Sequence, residues 1–486
     1  MNNEILLPEN APVRLTSAQL EELDYRKLYR AYSAKGRKSK VDPRVLFKVM
    51  AYGYQCGIYS SRKLEEACRY RVDFMWLLEE EPVPDHTTLA RFRTGRCAEA
   101  VEDLFYQYVA RLEQQGETDH GTVFVDGTKL ESRAGRYTFC WRKSVEKHLK
   151  TVRQKVVDMT GRKSLLGLKA YLEELEAGSS FVHGSGYRKS ETQRQWEKLD
   201  ELRCRWEEYE KSLEIMGPSR NSYSKTDPDA TFMRMKEDHM RNGQLKPAYN
   251  VQIAVNSEYI TGIETFSDRT DLGTLVPFLE ELKRTADAGY ESLENYLYLE
   301  KNGQMSFIKP SNYEVRKTKR FKEQVGRIEN MTYDEQWDAF ICAYGKTLSL
   351  RRETTELVQG RPVTTSWYRC EDCTNCPHRS ACCQAKDLAK PKEVVLKKTF
   401  WEMRAASQEN ITTEHGIYLR MCRSIQVEGA FGLLKNDFGF RRFLTRGKTN
   451  IRTELFFLAL AYDLKKLWMK RENKRLKTHL SEITVA

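Results

Sequence analysis

A short run at residues 122–127, TVFVDG, constrains this chain more than any other feature: it is apolar, β-branched and ends in aspartate, and it interrupts a helical landscape. A strand that ends in a carboxylate presents that acid where a sheet opens onto a crevice. A long polar insertion follows. A second strand then appears, with Tyr249, Val251, Ile253 and Val255 alternating with Asn250, Gln252 and Ala254. After the turn-like Asn256 and Ser257, the run YITGIETF completes a β-hairpin. Asp271 reads as the cap of a helix that carries Leu272, Leu275, Val276, Leu279 and Leu282 on one stripe. The order strand, long insertion, strand, strand, helix predicts an α/β core.

The flanks are helical. DPRVLFKVMAYGYQ and SSRKLEEACRYRVDFMWLL repeat apolar residues at helical spacing behind Asp or Ser caps, and DHTTLARFR starts a third helix at Asp85. There Leu89 and Phe92 can face a core while Thr87, Thr88, Arg91 and Arg93 face outward, which suits a helix-turn-helix reader as well as a small bundle with a solvated basic face. Residues 143–215, with leucines at helical spacing as in LLGLKAYLEELE, predict a helical hairpin acting as a scaffold arm. Residues 335–400 carry β-prone pieces, and helices return after about residue 412.

At 486 residues the chain is long enough for two to four folded units. The segment without a basic n-region at the start, and the lack of an apolar run long enough to span a bilayer, predict a cytoplasmic protein with no membrane partner. Lys and Arg outnumber Asp and Glu by 81 to 69, and the pI near 9.0 fits a polyanionic partner. The excess is local: residues 441–477 hold twelve Lys or Arg against Glu454, Asp463 and Glu472.

Phosphodiester cleavage with two metal ions needs acidic side chains that converge from distant parts of a chain. Asp126 ends the first strand, Asp287 lies in ADAGYES, and Glu428 sits within a helix, with Lys435 close to two turns beyond it. Around these acids the chain resembles the DDE transposases of bacterial insertion sequences. The resemblance is carried by VFVDGTKLES, YNVQIAV, FSDRTDLGT, ADAGYES and RSIQVEGAFGLLKNDFGFRRFLTRG in that order, with SSRKLEEACRYRVDFMWLL and PDHTTLARFR ahead of them, over about residues 40–467.

The resemblance implies an α/β fold with a ribonuclease H-like mixed-sheet core, in which Asp126, Asp287 and Glu428 hold Mg2+ (or Mn2+). It implies hydrolysis at the element ends and strand transfer into target DNA. The implied division is a helical DNA-binding domain at 1–115, a catalytic domain at 116–470 interrupted by a helical insertion (140–245) and a β-rich cysteine insertion (312–405), and a basic tail at 471–486. The implied partners are double-stranded DNA, as terminal inverted repeats and target, and a second copy of the chain on that DNA, in a bacterial, nucleoid-associated setting. Lys435 fits the family's phosphate-contacting lysine. Arg423 stands five residues before Glu428, whereas a related branch places its arginine four before, where this chain has Ser424. Arg442, Arg446 and Lys448 are read as backbone contacts, and Thr88 and Arg91 as end-reading residues.

Of the twelve cysteines, most are scattered singly and read as reduced thiols. Cys370, Cys373, Cys376 and Cys382, with Cys383 and His378 nearby, have spacings that suit a structural Zn2+, an iron–sulfur cluster or metal-free thiols, and the sequence leaves these open.

One departure from the family pattern stands out. Between the helix that ends near Lys283 and Asp287 there is no apolar run for the fourth strand of such a core, which needs about five residues. The sequence therefore predicts a lost segment and impaired catalysis in this copy. The rival readings are a transposase-derived DNA-binding protein without chemistry and a ribonuclease H-like nuclease without transposition.

Overall fold

The computed structural model describes residues 6–32, 39–118, 122–179, 181–182, 188–235, 244–282, 291–358, 360–383, 387 and 390–479. The N-terminal helices are α1 (Pro12–Glu21), α2 (Arg26–Arg30), α3 (Pro43–Gln55), α4 (Ser61–Tyr70), α5 (Val72–Leu77), α6 (His86–Arg91) and α7 (Val101–Gln114), with a π-helical turn at Phe92–Arg96. Local signals start them. Asp42 accepts the Arg44 N–H at 2.8 Å ahead of Pro43, and Asp85 accepts the Thr88 N–H at 2.8 Å.

Strand β1 (Phe124–Glu131) is followed by β2 (Phe139–Trp141) and by an arm of three helices, α8 (Arg142–Thr160), α9 (Leu165–Ala177) and α10 (Glu191–Met216). The expected hairpin is thus a three-helix arm. Gly161, in the left-handed region at φ 71°, ends α8, and Ser164 caps α9 through the Gly167 N–H. Leu149, Val156, Leu168, Leu172, Leu199 and Trp206 give the arm its own apolar core. The chain returns through β3 (Ser222–Ser224), which pairs with β2, and β4 (Thr231–Arg234).

Strands β5 (Leu245–Asn256) and β6 (Tyr259–Phe266) form the expected hairpin. Strand β5 pairs antiparallel with β1 on one edge and with β6 and β4 on the other. The turn falls one residue later than the sequence indicates: Ser257 and Glu258 both have positive φ, at 51° and 74°. That is the backbone sense of a tight hairpin turn, which non-glycine side chains adopt only when their surroundings hold them there. Here the Tyr462 hydroxyl donates to the Glu258 carbonyl at 3.0 Å, and Gln426 Oε1 accepts the Glu258 N–H at 3.1 Å.

Helices α11 (Leu275–Leu282) and α12 (Leu293–Lys301) follow. Leu275, Phe278 and Leu279 pack with Val123, Val125 and Ala254, while Leu272, expected on the same stripe, is exposed. The missing fourth strand expected before Asp287, and Asp287 itself, fall in 283–290, outside the described residues. A second sheet, β7 (Thr332–Asp334), β8 (Ala339–Ile341), β9 (Thr347–Val358), β10 (Arg361–Cys370) and β11 (Glu393–Lys397), is an antiparallel meander in the segment expected to be β-rich. The protein is a mixed α/β chain with three antiparallel sheets among the described residues.

Helix α13 (Lys398–Thr412) leads into α14 (Glu414–Arg423), whose helical course continues to Asp437, and the last long helix is α15 (Lys448–Glu472). Over Leu455–Tyr462 helix α15 is apolar all round because it is enclosed all round there. Its residues Ile451, Leu455–Ala461 and Leu464 are buried against α3, α7 and β6. Phe457 stacks against Phe47 and Tyr54 with ring centroids 5.2 and 5.5 Å apart, and Phe456 meets Phe105 at 5.5 Å. One core therefore joins the N-terminal helices to the sheet. A Phe457→Ala change would cost about 3–5 kcal/mol by the usual scale for buried aromatics. Among the described residues, no helix is long and apolar enough to cross a membrane.

Asp463 is a polar group inside this core. It is fully buried and its Oδ1 accepts the Ile260 N–H at 2.7 Å. Burial raises its carboxyl pKa well above 3.8. An acid raised in the folded state is protonated there over a pH range in which the unfolded chain is ionised, so it disfavours folding increasingly as pH rises above the unfolded value. Asp463→Asn keeps the acceptor and removes the charge. It should raise the unfolding midpoint at about pH 8, with the gain shrinking as pH approaches 3.8. A gain of equal size at both pH values, in urea titrations, would contradict this account of Asp463.

Candidate functional site

Antiparallel register places Asp126 opposite Ile253, on the sheet face shared by Phe124 and Leu130. That face is covered by the helical course of 414–437 and by α15. Asp126 is partly exposed. Its Oδ1 accepts the Gly127 N–H at 2.8 Å, and its Oδ2 lies 3.2 Å from Arg423 Nη2.

Why Arg423 reaches it follows from the helix. Thr413 caps α14 through the Gly416 N–H at 2.9 Å, and Gly416 is required there because a Cβ would stand 2.0 Å from the Asn410 carbonyl oxygen. After Arg423 the helix widens into a π turn over Ser424–Glu428, which packs against both β1 and β5. A π turn holds one more residue than an α turn. It therefore sets Arg423 and Glu428, five apart, nearly above one another, as an α-helix does for residues four apart. The unusual Arg–Glu spacing in the sequence was the signal for this turn.

Gln426 within the turn is buried and anchors the β5–β6 turn, as described above. Glu428 is exposed, and at Gly429 and Gly432 an added Cβ would meet nothing within 4 Å, so the surface beside the carboxylate is open. Lys435 falls in a second π turn, Leu433–Asp437, and is half-buried beneath Thr128, Leu130 and Val251 around a cavity of about 10 Å³.

The opposite face of β1 carries a polar network that pattern reading misses. Asp271 does not cap a helix with its side chain: its Oδ1 accepts Asn250 Nδ2 at 2.8 Å and Gln252 Nε2 at 3.0 Å. Gln252 and Asn250 are buried, and Gln252 crosses directly over Gly127, where a Cβ would stand 2.3 Å from its amide nitrogen. The motifs around Asp126, Asn250 and Asp271 are thus one hydrogen-bonded unit behind the acidic strand.

The basic residues divide by what holds them. Thr88 faces its own cap, with its hydroxyl donating to Asp85 Oδ2 at 3.2 Å, while Arg91 is exposed on α6. Arg442 donates to the carbonyls of Ser132 at 3.1 Å and Ala134 at 3.3 Å, and Arg446 to that of Arg133 at 3.4 Å. These two tie the 441–446 loop to the end of β1. The Lys448 N–H donates to Asp229 at 2.8 Å at the start of α15.

Cys370, Cys373, Cys376 and Cys382 gather at the end of β10, but among the described residues no group of three or more His, Cys, Asp or Glu side chains is placed to hold a metal ion. Cys370, Cys373 and Cys382 close an apolar core with Phe340, Leu348, Tyr368 and Val394. Burial pushes the Cys370 thiol up to about 12 and raises Cys382 as well, so both stay neutral there.

Asp126 on strand β1 thus pairs with Arg423 at the entry to the widened turn that ends at the exposed Glu428. Residues 341–468 match the family described as Transposase DDE domain, and residues 2–95 match Transposase domain (DUF772). The two ends of the chain are thus each similar to a transposase family, with 96–340 outside both matches. The first match includes Glu428 and Lys435 and begins after Asp126 and Asp287. No curated protein and no solved structure matches the chain.

The Gly127 contact yields an expectation for stability. Gly127→Ala forces the Gln252 amide aside and should cost about 1–3 kcal/mol, as overpacking does. Combined with Gln252→Ala, the two changes should cost clearly less than their sum. Strict additivity in urea unfolding would contradict the close approach. The π turn gives a second. Deleting Ser424 should convert it to an α turn and leave the unfolding midpoint close to the parent's. Deleting Ala459 should turn the buried face of α15 by about 100° and abolish cooperative unfolding. Equal collapse of both would contradict the widened turn.

Proposed function

We propose that this chain is a transposase that cuts DNA at element ends and joins them to target DNA in a metal-dependent reaction, with Asp126, Asp287 and Glu428 as its carboxylates on a ribonuclease H-like core. The observation that carries this reading is the placement of Asp126 on the sheet face covered by the 414–437 helical course, with Arg423 3.2 Å away and Glu428 one π turn beyond it. Carboxylate oxygens are the donors that Mg2+ takes. The Asp126 position accepts positive charge, since a guanidinium already lies against it. When bound there, Mg2+ or Mn2+ would supply Lewis acidity to the attacking and leaving oxygens of the phosphodiester.

The chain's own residues supply the rest. Asp126 and Glu428 place negative charge from two elements onto one open surface. Arg423 and Lys435 provide cationic groups for the phosphate, and the network behind Gly127 keeps β1 rigid. Double-stranded DNA is the substrate, a dimer joins two ends, and the bacterial cytoplasm is the setting.

A second reading, a DNA-binding transposase derivative with impaired chemistry, is favoured by one observation. Helix α11 runs to Leu282 and Ser292 caps α12, so only 283–291 lie between them for a strand, its loops and Asp287. Incubation of the protein with duplexes bearing the flanking inverted repeats and Mg2+ tests both. Cleavage should be abolished by Asp126→Ala, Asp287→Ala or Glu428→Ala, while binding, which depends on basic contacts, stays nearly unchanged. Cleavage retained by Glu428→Ala would overturn the carboxylate assignment. Tight binding with no cleavage by the parent chain would establish the second reading.

A further inference from the structure

A cleft of about 710 Å³ lined by arginines is built from two parts of the chain that are far apart in sequence. One wall is N-terminal: Arg62 on α4, and His86, Thr87, Ala90 and Arg91 on α6, with Arg93 just beyond. The other is the far end of the acidic strand and the loop tied to it: Arg133, Arg442 and Leu444. Five arginines line it and no acid does.

The acids nearest these walls in sequence are already engaged. Glu65 pairs with Arg69 at 2.8 Å and with His86 Nδ1 at 2.8 Å, and Asp85 caps α6. Arg442 and Arg133 are held in place by carbonyl oxygens, Arg133 donating to that of Leu444 at 2.8 Å. Arg93 is more than nine-tenths buried: its Nη1 donates to the Tyr59 carbonyl at 2.8 Å, and its Nε has no acceptor. Arg62 and Arg91 are exposed and pair with no acid among the described residues. Two arginines thus stand ready on one wall, facing a wall whose arginines are fixed.

We propose that this cleft grips the sugar–phosphate backbone of the duplex at a set distance from the carboxylates, so that the N-terminal helices and the acidic strand measure the DNA between them. The distance comes from β1 itself. Asp126 and Glu131 are five residues apart on one strand, about 17 Å at roughly 3.3–3.4 Å per residue. Glu131 lies 3.8 Å from Arg442 Nε, at the edge of the cleft. Duplex DNA rises about 3.4 Å per base pair, so the gripped phosphates fall about five or more base pairs from the bond that is cut. The shared core of α3, α7, α15 and the sheet makes the spacing rigid. The spacing rests on the strand-cutting reading, whereas the grip itself does not.

Two measurements separate them. Binding of a labelled duplex of arbitrary sequence, followed against salt, tests the grip. Arg62→Gln and Arg91→Gln should each lower the slope of log affinity against log salt by about one, Arg91→Lys should restore it, and Lys198→Gln on the helical arm should leave it unchanged. An unchanged slope in both arginine variants would overturn the grip. Phosphate-ethylation interference on a duplex bearing the flanking inverted repeat tests the spacing. Ethylation about five or more base pairs from the element end should block binding by the parent and lose that effect in the Arg62→Gln, Arg91→Gln double variant. Interference confined to the two or three phosphates nearest the end would overturn the ruler even if the salt slopes behave as expected.

Discussion

The contact between Asp126 and Arg423, 3.2 Å across the seam of sheet and helix, is the interaction on which the rest of the site depends. It requires three things at once. Strand β1 must hold a register that turns Asp126 toward the helix, the helix must widen after Arg423, and the β5–β6 turn must accept two left-handed residues so that Glu258 can meet Gln426. The left-handed turn persists because Tyr462, Lys466 and Arg475 also hold Glu258, and the π turn persists because Gln426 is buried beneath that turn. Strain in one element is offset by contacts from the other two, which fixes the acidic position more firmly than a loop could.

The same logic extends outward through helix α15. A helix buried on every side over 453–464 needs partners on every side, and here the partners are the N-terminal helices and the sheet. The N-terminal helices and the strand that carries Asp126 therefore do not sit on units joined by a free linker: α3 and α7 pack on Phe457 and Phe456 in the core that supports β1. The loop at 441–446 is pinned to the same frame, with the Leu444 and Thr445 N–H groups at 3.0 and 2.7 Å from buried Glu454. Burial raises the pKa of Glu454, and those N–H donors oppose the rise.

Much of this was legible in the sequence, for identifiable reasons. Strand β1 announces itself by its apolar, β-branched run and the hairpin by alternation, although β1 does not end at Asp126 as the run suggests but continues to Glu131. The acids at 126 and 428 stand out through the ordered motifs around them. What was illegible depends on contacts between distant segments. Asp271 looks like a cap because caps are local, whereas its true partners, Asn250 and Gln252, are some twenty residues away. The Gln252 amide lies over Gly127, a close approach that no one-dimensional pattern encodes. The helical arm divides into three because Gly161 and Ser164 stop one helix and start another within four residues, a signal masked by the leucine periodicity on either side. The packing of Cys370, Cys373 and Cys382 with Phe340, Leu348 and Tyr368 is likewise a contact between distant segments that their spacing does not encode.

In the proposed reaction Asp126 and Glu428, from different elements, share one metal-binding surface. Binding of Mn2+ followed by its electron paramagnetic resonance signal, on the full chain with duplex DNA present, tests this most directly. Asp126→Asn and Glu428→Gln should each abolish the bound-ion signal while DNA binding persists. Bound Mn2+ undiminished in either variant would contradict the shared site.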